Sequence, residues 1–124
     1  MQIVLAEREA ELMAVLWDHG PSTVNDVQAR LGDELAYTTV LSHLRALEAK
    51  GYVGHAEEGR THRYHALIER NDARRGALES LLSRFFNGSP DDLLLHLVSD
   101  EKLSAKQVQR IEAKLRRKPR KGHT

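Results

Sequence analysis

Thr38, Ser42 and Arg45 recur at helical spacing within the stretch AYTTVLSHLRALEAKGYV, residues 36–53, and form a short-chained polar face able to meet another molecule closely. Hydroxyls donate or accept, a threonine methyl can meet a thymine methyl, and an arginine reaches guanine or phosphate. The competing reading is a solvated helix face. Catalytic chemistry has less to build on, because the chain contains no HExxH, no GxSxG and no glycine-rich phosphate loop. Ser42 and His43 are helical neighbours, which do not face each other. Asp91 and Asp92 begin a helix, where negative charge is favourable, and Glu57 and Glu58 sit at a hairpin tip. An enzyme is not expected.

Five of the seven histidines fall within residues 1–66. A two-residue loop at Glu58-Gly59 would set His55 opposite His62, whereas a three-residue loop ending at Gly59 would break that pairing. Glu57 could add a third ligand to such a pair, but ordinary wing histidines are expected, with no metal and no cofactor. His43 projects beside the apolar face of its helix, as a boundary residue. The absence of cysteine removes disulfides, thiolate metal sites and cysteine nucleophiles.

The elements that position these residues follow from periodicity. Leu12, Met13, Leu16 and Trp17 predict a helix over 6–19, stopped by Gly20-Pro21. STVNDVQARLG carries Thr23 and Asp26 at capping-box spacing and predicts a short second helix before Gly32. In the third helix Val40, Leu44 and Leu47 fall within roughly 60° of one another at about 100° per residue, which fixes its buried side. Thr38, Ser42, Arg45 and Ala49 then point outward, with Thr39 and Ala46 on one flank and Leu41 on the other, and Gly51 ends the helix. YVGHAEEGRTHRYHAL reads as two short strands around Glu58-Gly59. Trp17 and Tyr64 are core or core-edge aromatics.

Beyond residue 67 the pattern is purely helical. Leu78, Leu81, Leu82, Phe85 and Phe86 form one apolar stripe, NGSP at 87–90 breaks it, DDLLLHLV is a second helix, and Leu103, Val108, Ile111 and Leu115 belong to a third that Ser104 can cap. These amphipathic helices have little within the chain to cover them, so a homodimer is expected. Its contact residues are Leu78, Leu81, Leu82, Phe85, Leu94, Leu97, Val108, Ile111 and Leu115.

Charge and composition bound the function. Residues 1–66 hold 6 Lys/Arg against 10 Asp/Glu, a net −4, and residues 67–124 hold 13 against 8, a net +5. The 40% hydrophobic and 30% charged composition is that of a globular protein. With no apolar run long enough to span a bilayer and an opening, MQIVLAEREA, that turns acidic without a basic leader, a cytoplasmic location is expected.

An exposed second helix of a helix-turn-helix, followed directly by a two-stranded ribbon bearing Arg60 and Arg63, is the layout of a winged helix, with helix in groove and wing on backbone. LAEREAELMAVLWDHGPSTVNDVQARL, LAYTTVLSHLRALEAKGYV, GRTHRYHAL and DDLLLHLVSDEKLS resemble the penicillinase-repressor family, the BlaI/MecI/CopY group of bacterial winged-helix repressors, over about residues 5–117. The resemblance implies a dimeric repressor on an inverted-repeat operator. Operator contacts carried over from the family land on Thr38, Thr39, Ser42 and Arg45.

The expected fold is thus mainly α with a small β-hairpin: a winged helix-turn-helix DNA-binding domain at 1–68, a helical dimerisation domain at 69–117 and a basic tail at 118–124. Lys50, Arg60 and Arg63 are expected on phosphates. The alternative function is a winged-helix module for protein–protein assembly, motivated by the acidic first half. Staphylococcal relatives carry basic residues where this chain has Thr38 and Leu41, and their Asn-Phe cleavage bond aligns with His96-Leu97 here. The copper-responsive branch uses paired cysteines, which this chain lacks. A sensor or protease partner is left open.

Overall fold

The structure, a computed structural model of the chain, describes residues 3–32 and 35–117, so the expected basic tail at 118–124 lies outside the described residues. Helix α1, Glu7–His19, buries Leu12, Met13, Val15 and Leu16 on one side. At its start the Glu9 carboxylate accepts from the Ala6 N–H at 2.9 Å, satisfying a donor that helix geometry leaves open. Helix α2, Val24–Leu31, opens on the expected capping box: Thr23 Oγ1 accepts from the Asp26 N–H and Asp26 accepts from the Thr23 N–H, both at 3.1 Å.

Helix α3, Tyr37–Ala49, buries Val40, Leu44 and Leu47 completely. Its end is a Schellman turn, in which Tyr52 N–H donates to Leu47 O and Gly51 N–H to Glu48 O, with Gly51 at φ 83°. That turn swings the chain straight into strand β2, Val53–Glu58, which pairs antiparallel with β3, Thr61–Ala66.

The hairpin register departs from both sequence alternatives. Glu58 pairs with Thr61, so the two-residue loop is Gly59-Arg60, not Glu58-Gly59. Gly59 takes φ 64° at the first loop position while Arg60 does not, the arrangement that a II′ turn favours and only glycine enters cheaply. His62 therefore stands opposite Glu57, and His55 opposite Tyr64. A third strand, β1 at Ser22–Thr23, pairs with β3 to give the order β1-β3-β2. Two residues carry no period of their own, which is why sequence patterning shows only the hairpin.

Helix α4 spans Arg70–Phe85 and buries Ala73 and Gly76 near its start. A Cβ at Gly76 would lie 2.0 Å from the Ile3 carbonyl oxygen, so only glycine admits the amino-terminal strap at that point. Trp17 is half-buried beside it, donating through Nε1 to Ile68 O at 2.9 Å under the Arg70 guanidinium. By this packing the chain divides into compact units Met1–Ser80 and Leu81–Thr124, later than the 68/69 boundary expected from the sequence.

In the second unit, α5 covers Pro90–Ser99 and α6 covers Ala105–Arg117. Ser89 caps α5 by accepting from the Asp92 N–H, with Pro90 in the first turn, where a missing N–H costs nothing. Ser104 and Gln107 exchange bonds of 3.1 and 2.8 Å as the capping box of α6. Neither helix buries a residue within the chain. No helix among the described residues is long and apolar enough to cross a membrane.

Candidate nucleic-acid interface

The face of α3 opposite Val40, Leu44 and Leu47 is open, with Thr38, Ser42 and Arg45 exposed in a row and Thr39 half-buried on its flank. Its shape comes from side-chain size. Threonine, serine and alanine keep the helix surface low, so a partner can approach the backbone before meeting bulk.

Arg45 turns from this face into a groove of about 240 Å³ shared with Asn25 at the start of α2 and with Arg60, Thr61 and His62 on the ribbon. Among the described residues neither Arg45 nor Arg60 makes an ion pair. The two guanidiniums converge on one groove and retain their donors for something else. Tyr64 closes its floor; burial, with the nearby Glu48 charge, pushes the phenol pKa up, so it stays a neutral hydroxyl.

The other two expected phosphate ligands are differently placed. Lys50 Nζ contacts Glu9 Oε2 at 2.7 Å, tying the end of α3 to the start of α1. Glu9 is only 5% exposed, and burial alone would raise its pKa. The hydrogen bonds from Lys50 and the Ala6 N–H, with the Lys50 and His43 charges, outweigh that and hold its carboxyl below the usual range. Arg63 contacts Glu58 at 3.2 Å and Asp26 at 3.9 Å, and donates to Pro21 O at 3.4 Å. The backbone N–H and hydroxyl of Thr23, followed by the Arg63 and Arg30 charges, keep Asp26 ionised. Sequence reasoning placed Lys50 and Arg63 near the face but missed these carboxylate partners, because Glu9 and Lys50 meet across 41 positions.

The nine residues expected at a dimer contact divide by exposure. Leu78, Leu81, Phe85, Leu94, Leu97, Ile111 and Leu115 are exposed in the single chain, Phe85 by 68% and Leu115 by 59%, while Leu82 and Val108 are half-buried.

The chain is 28% identical over 109 residues to the penicillinase repressor of Bacillus licheniformis, covering 86% of this chain and 85% of that one. To the methicillin resistance regulatory protein MecI of Staphylococcus aureus strain N315 it is 19% identical over 116 residues, covering 92% and 94%. Among solved structures, the solution structure of monomeric Bacillus licheniformis BlaI with the blaP half-operator matches with a TM-score of 0.50 at 28% identity, covering 58% of this chain and 90% of that one. A MarR family protein from Bacillus stearothermophilus, at 16% identity, 81% and 73% coverage and a TM-score of 0.52, shares the fold. The profile of the penicillinase repressor family matches residues 5–117, and the chain belongs to that family.

Proposed function

We propose that the chain is a DNA-binding transcriptional repressor that works as a homodimer on an inverted-repeat operator. Helix α3 enters the major groove with Thr38, Thr39, Ser42 and Arg45, and the β2–β3 ribbon lies along the backbone. The observation that carries the reading is the pair of unpaired guanidiniums, Arg45 on α3 and Arg60 at the ribbon turn, flanking a helix face of small hydroxyl side chains. Family membership and the relative solved on its half-operator support it. Lys50 and Arg63, already held by carboxylates, add less to phosphate affinity than the two free arginines.

Dimerisation falls to the second unit, whose helices expose their apolar sides. Two-fold symmetry of the protein then matches two-fold symmetry of the operator. The His96-Leu97 bond lies inside α5, so any protease acting there would first have to unwind that helix.

The test is a salt-series binding assay on DNA from just upstream of the protein's own coding region. Affinity should fall steeply with salt as phosphates release counterions, and Arg45→Ala should lose about 1–3 kcal/mol of selective binding with the dimer intact. Salt-insensitive or unselective binding would transfer the weight to protein–protein assembly, the reading that the net −4 of residues 1–66 favours.

A further inference from the structure

We propose that His55, Glu57 and His62 form a site for one divalent ion of the zinc class on the ribbon, beside α3. The register created by the Gly59-Arg60 turn brings them together. Residues 55 and 57 of β2 alternate onto one face, and Glu57 stands directly opposite His62, which shares that face with Tyr64. One ligand atom from each of the three lies within 4.8 Å of the other two. His62 Nε2 is already 3.3 Å from Glu57 Oε1, and the two imidazoles stack with centroids 4.5 Å apart.

A further contact orients the site. His55 Nδ1 lies 2.6 Å from Glu48 Oε2 on α3. A carboxylate in that contact accepts from Nδ1–H, which leaves Nε2 as the ring nitrogen to bind an ion. A carboxylate gripping the far nitrogen of a metal-ligating histidine is the arrangement that fixes tautomer and ring orientation. Glu48 is thus a positioning residue.

Two imidazoles, one carboxylate and a water make a ligand set that zinc accepts in tetrahedral form, with bonds of about 2.0–2.2 Å. Nitrogen-rich ligation favours zinc, nickel or copper(II) over magnesium and calcium. Closing on the ion requires the stacked rings to turn so that their lone pairs converge, and Glu57 and His62, with exposed side chains, have room to do so. Loading would tie β2 to β3 and place positive charge beside Glu48 of α3 and Glu57 of the ribbon.

Zinc chloride titrated into the full-length protein by calorimetry tests the site without recourse to DNA, so its outcome is independent of the repressor reading. Wild type should take up one zinc at this site, and His55→Gln and His62→Gln should each lose that event. Glu48→Gln should weaken it about 10–100-fold, as expected for a residue gripping a ligand. His65→Gln, on the opposite face of β3, should leave it unchanged. In wild type, the ring resonances of His55 and His62 should shift with zinc while those of His65 stay. Absence of uptake by wild type, or undiminished uptake by His62→Gln with no shift at His55 and His62, would overturn the proposal.

Discussion

The two units of this chain use their apolar side chains in opposite ways. Among the described residues every buried apolar side chain lies between Ile3 and Ala73, where three helices and a small sheet close over Leu12, Met13, Val40, Leu44, Leu47 and Tyr64. In α5 and α6 nothing is buried, although Leu94, Leu97, Ile111 and Leu115 recur at helical spacing. Similar side chains therefore have different roles. In the first unit they stabilise a fold that is complete in one copy, whereas in the second they stay exposed in the single chain, where the proposed dimer would cover them.

That contrast breaks most sharply at α6. Replacing Ile111 and Leu115 together with aspartate removes two apolar side chains per protomer from the proposed dimer contact, at about 1.5–3 kcal/mol for each. The dimer should weaken by roughly a thousandfold or more, as read by sedimentation equilibrium, with the melting of the first unit unchanged. A dimer that survives both substitutions uses another surface.

Gly76→Ala probes the opposite case, a contact already closed within one copy. The new methyl would meet the Ile3 carbonyl, and overpacking of this kind costs about 1–3 kcal/mol. Chemical denaturation should show the loss, without change in dimer affinity. A gain of stability would mean that the amino-terminal strap yields and the better helix propensity of alanine wins.

Within the proposed interface, Lys50→Ala should separate from Arg45→Ala. Removing Lys50 leaves the buried Glu9 carboxylate without its cation, which should cost about 1–3 kcal/mol of folding stability, while operator affinity changes less than in Arg45→Ala. Denaturation and DNA titration on the same two variants provide the comparison.

The smallest effect is in acid. Because the folded pKa of Glu9 lies below its ordinary 4.5, the unfolded chain binds more protons between those two values, and stability rises with pH through that window. Its contribution is full above the unfolded value and is lost as pH falls through the folded one. Glu9→Gln should flatten the acid limb of a stability–pH curve; an unaltered limb would assign the acid sensitivity to other carboxylates.

Much of the first unit was legible from short-range pattern. The period that selected Val40, Leu44 and Leu47 also placed Thr38, Ser42 and Arg45 outward, and the Thr23–Asp26 and Ser104 caps are local signals. What escaped depends on pairing between distant residues. The loop lies one residue later than the Glu58-Gly59 alternative because Gly59, at φ 64°, takes the first position of a II′ turn, where that alternative had put Glu58, while Glu58 itself pairs across the strands with Thr61. The Glu9–Lys50 and Arg63–Asp26 pairs are invisible to periodicity because each joins residues far apart in the chain.

The carboxylates held against Lys50 and Arg63 bear on how a regulator finds its target. Free cations near a binding face attract every stretch of duplex alike, since attraction to phosphate ignores sequence. With two of its cations satisfied internally, the proposed repressor would linger less on the millions of competing sites in a chromosome. A small number of copies would then suffice to keep one operator occupied.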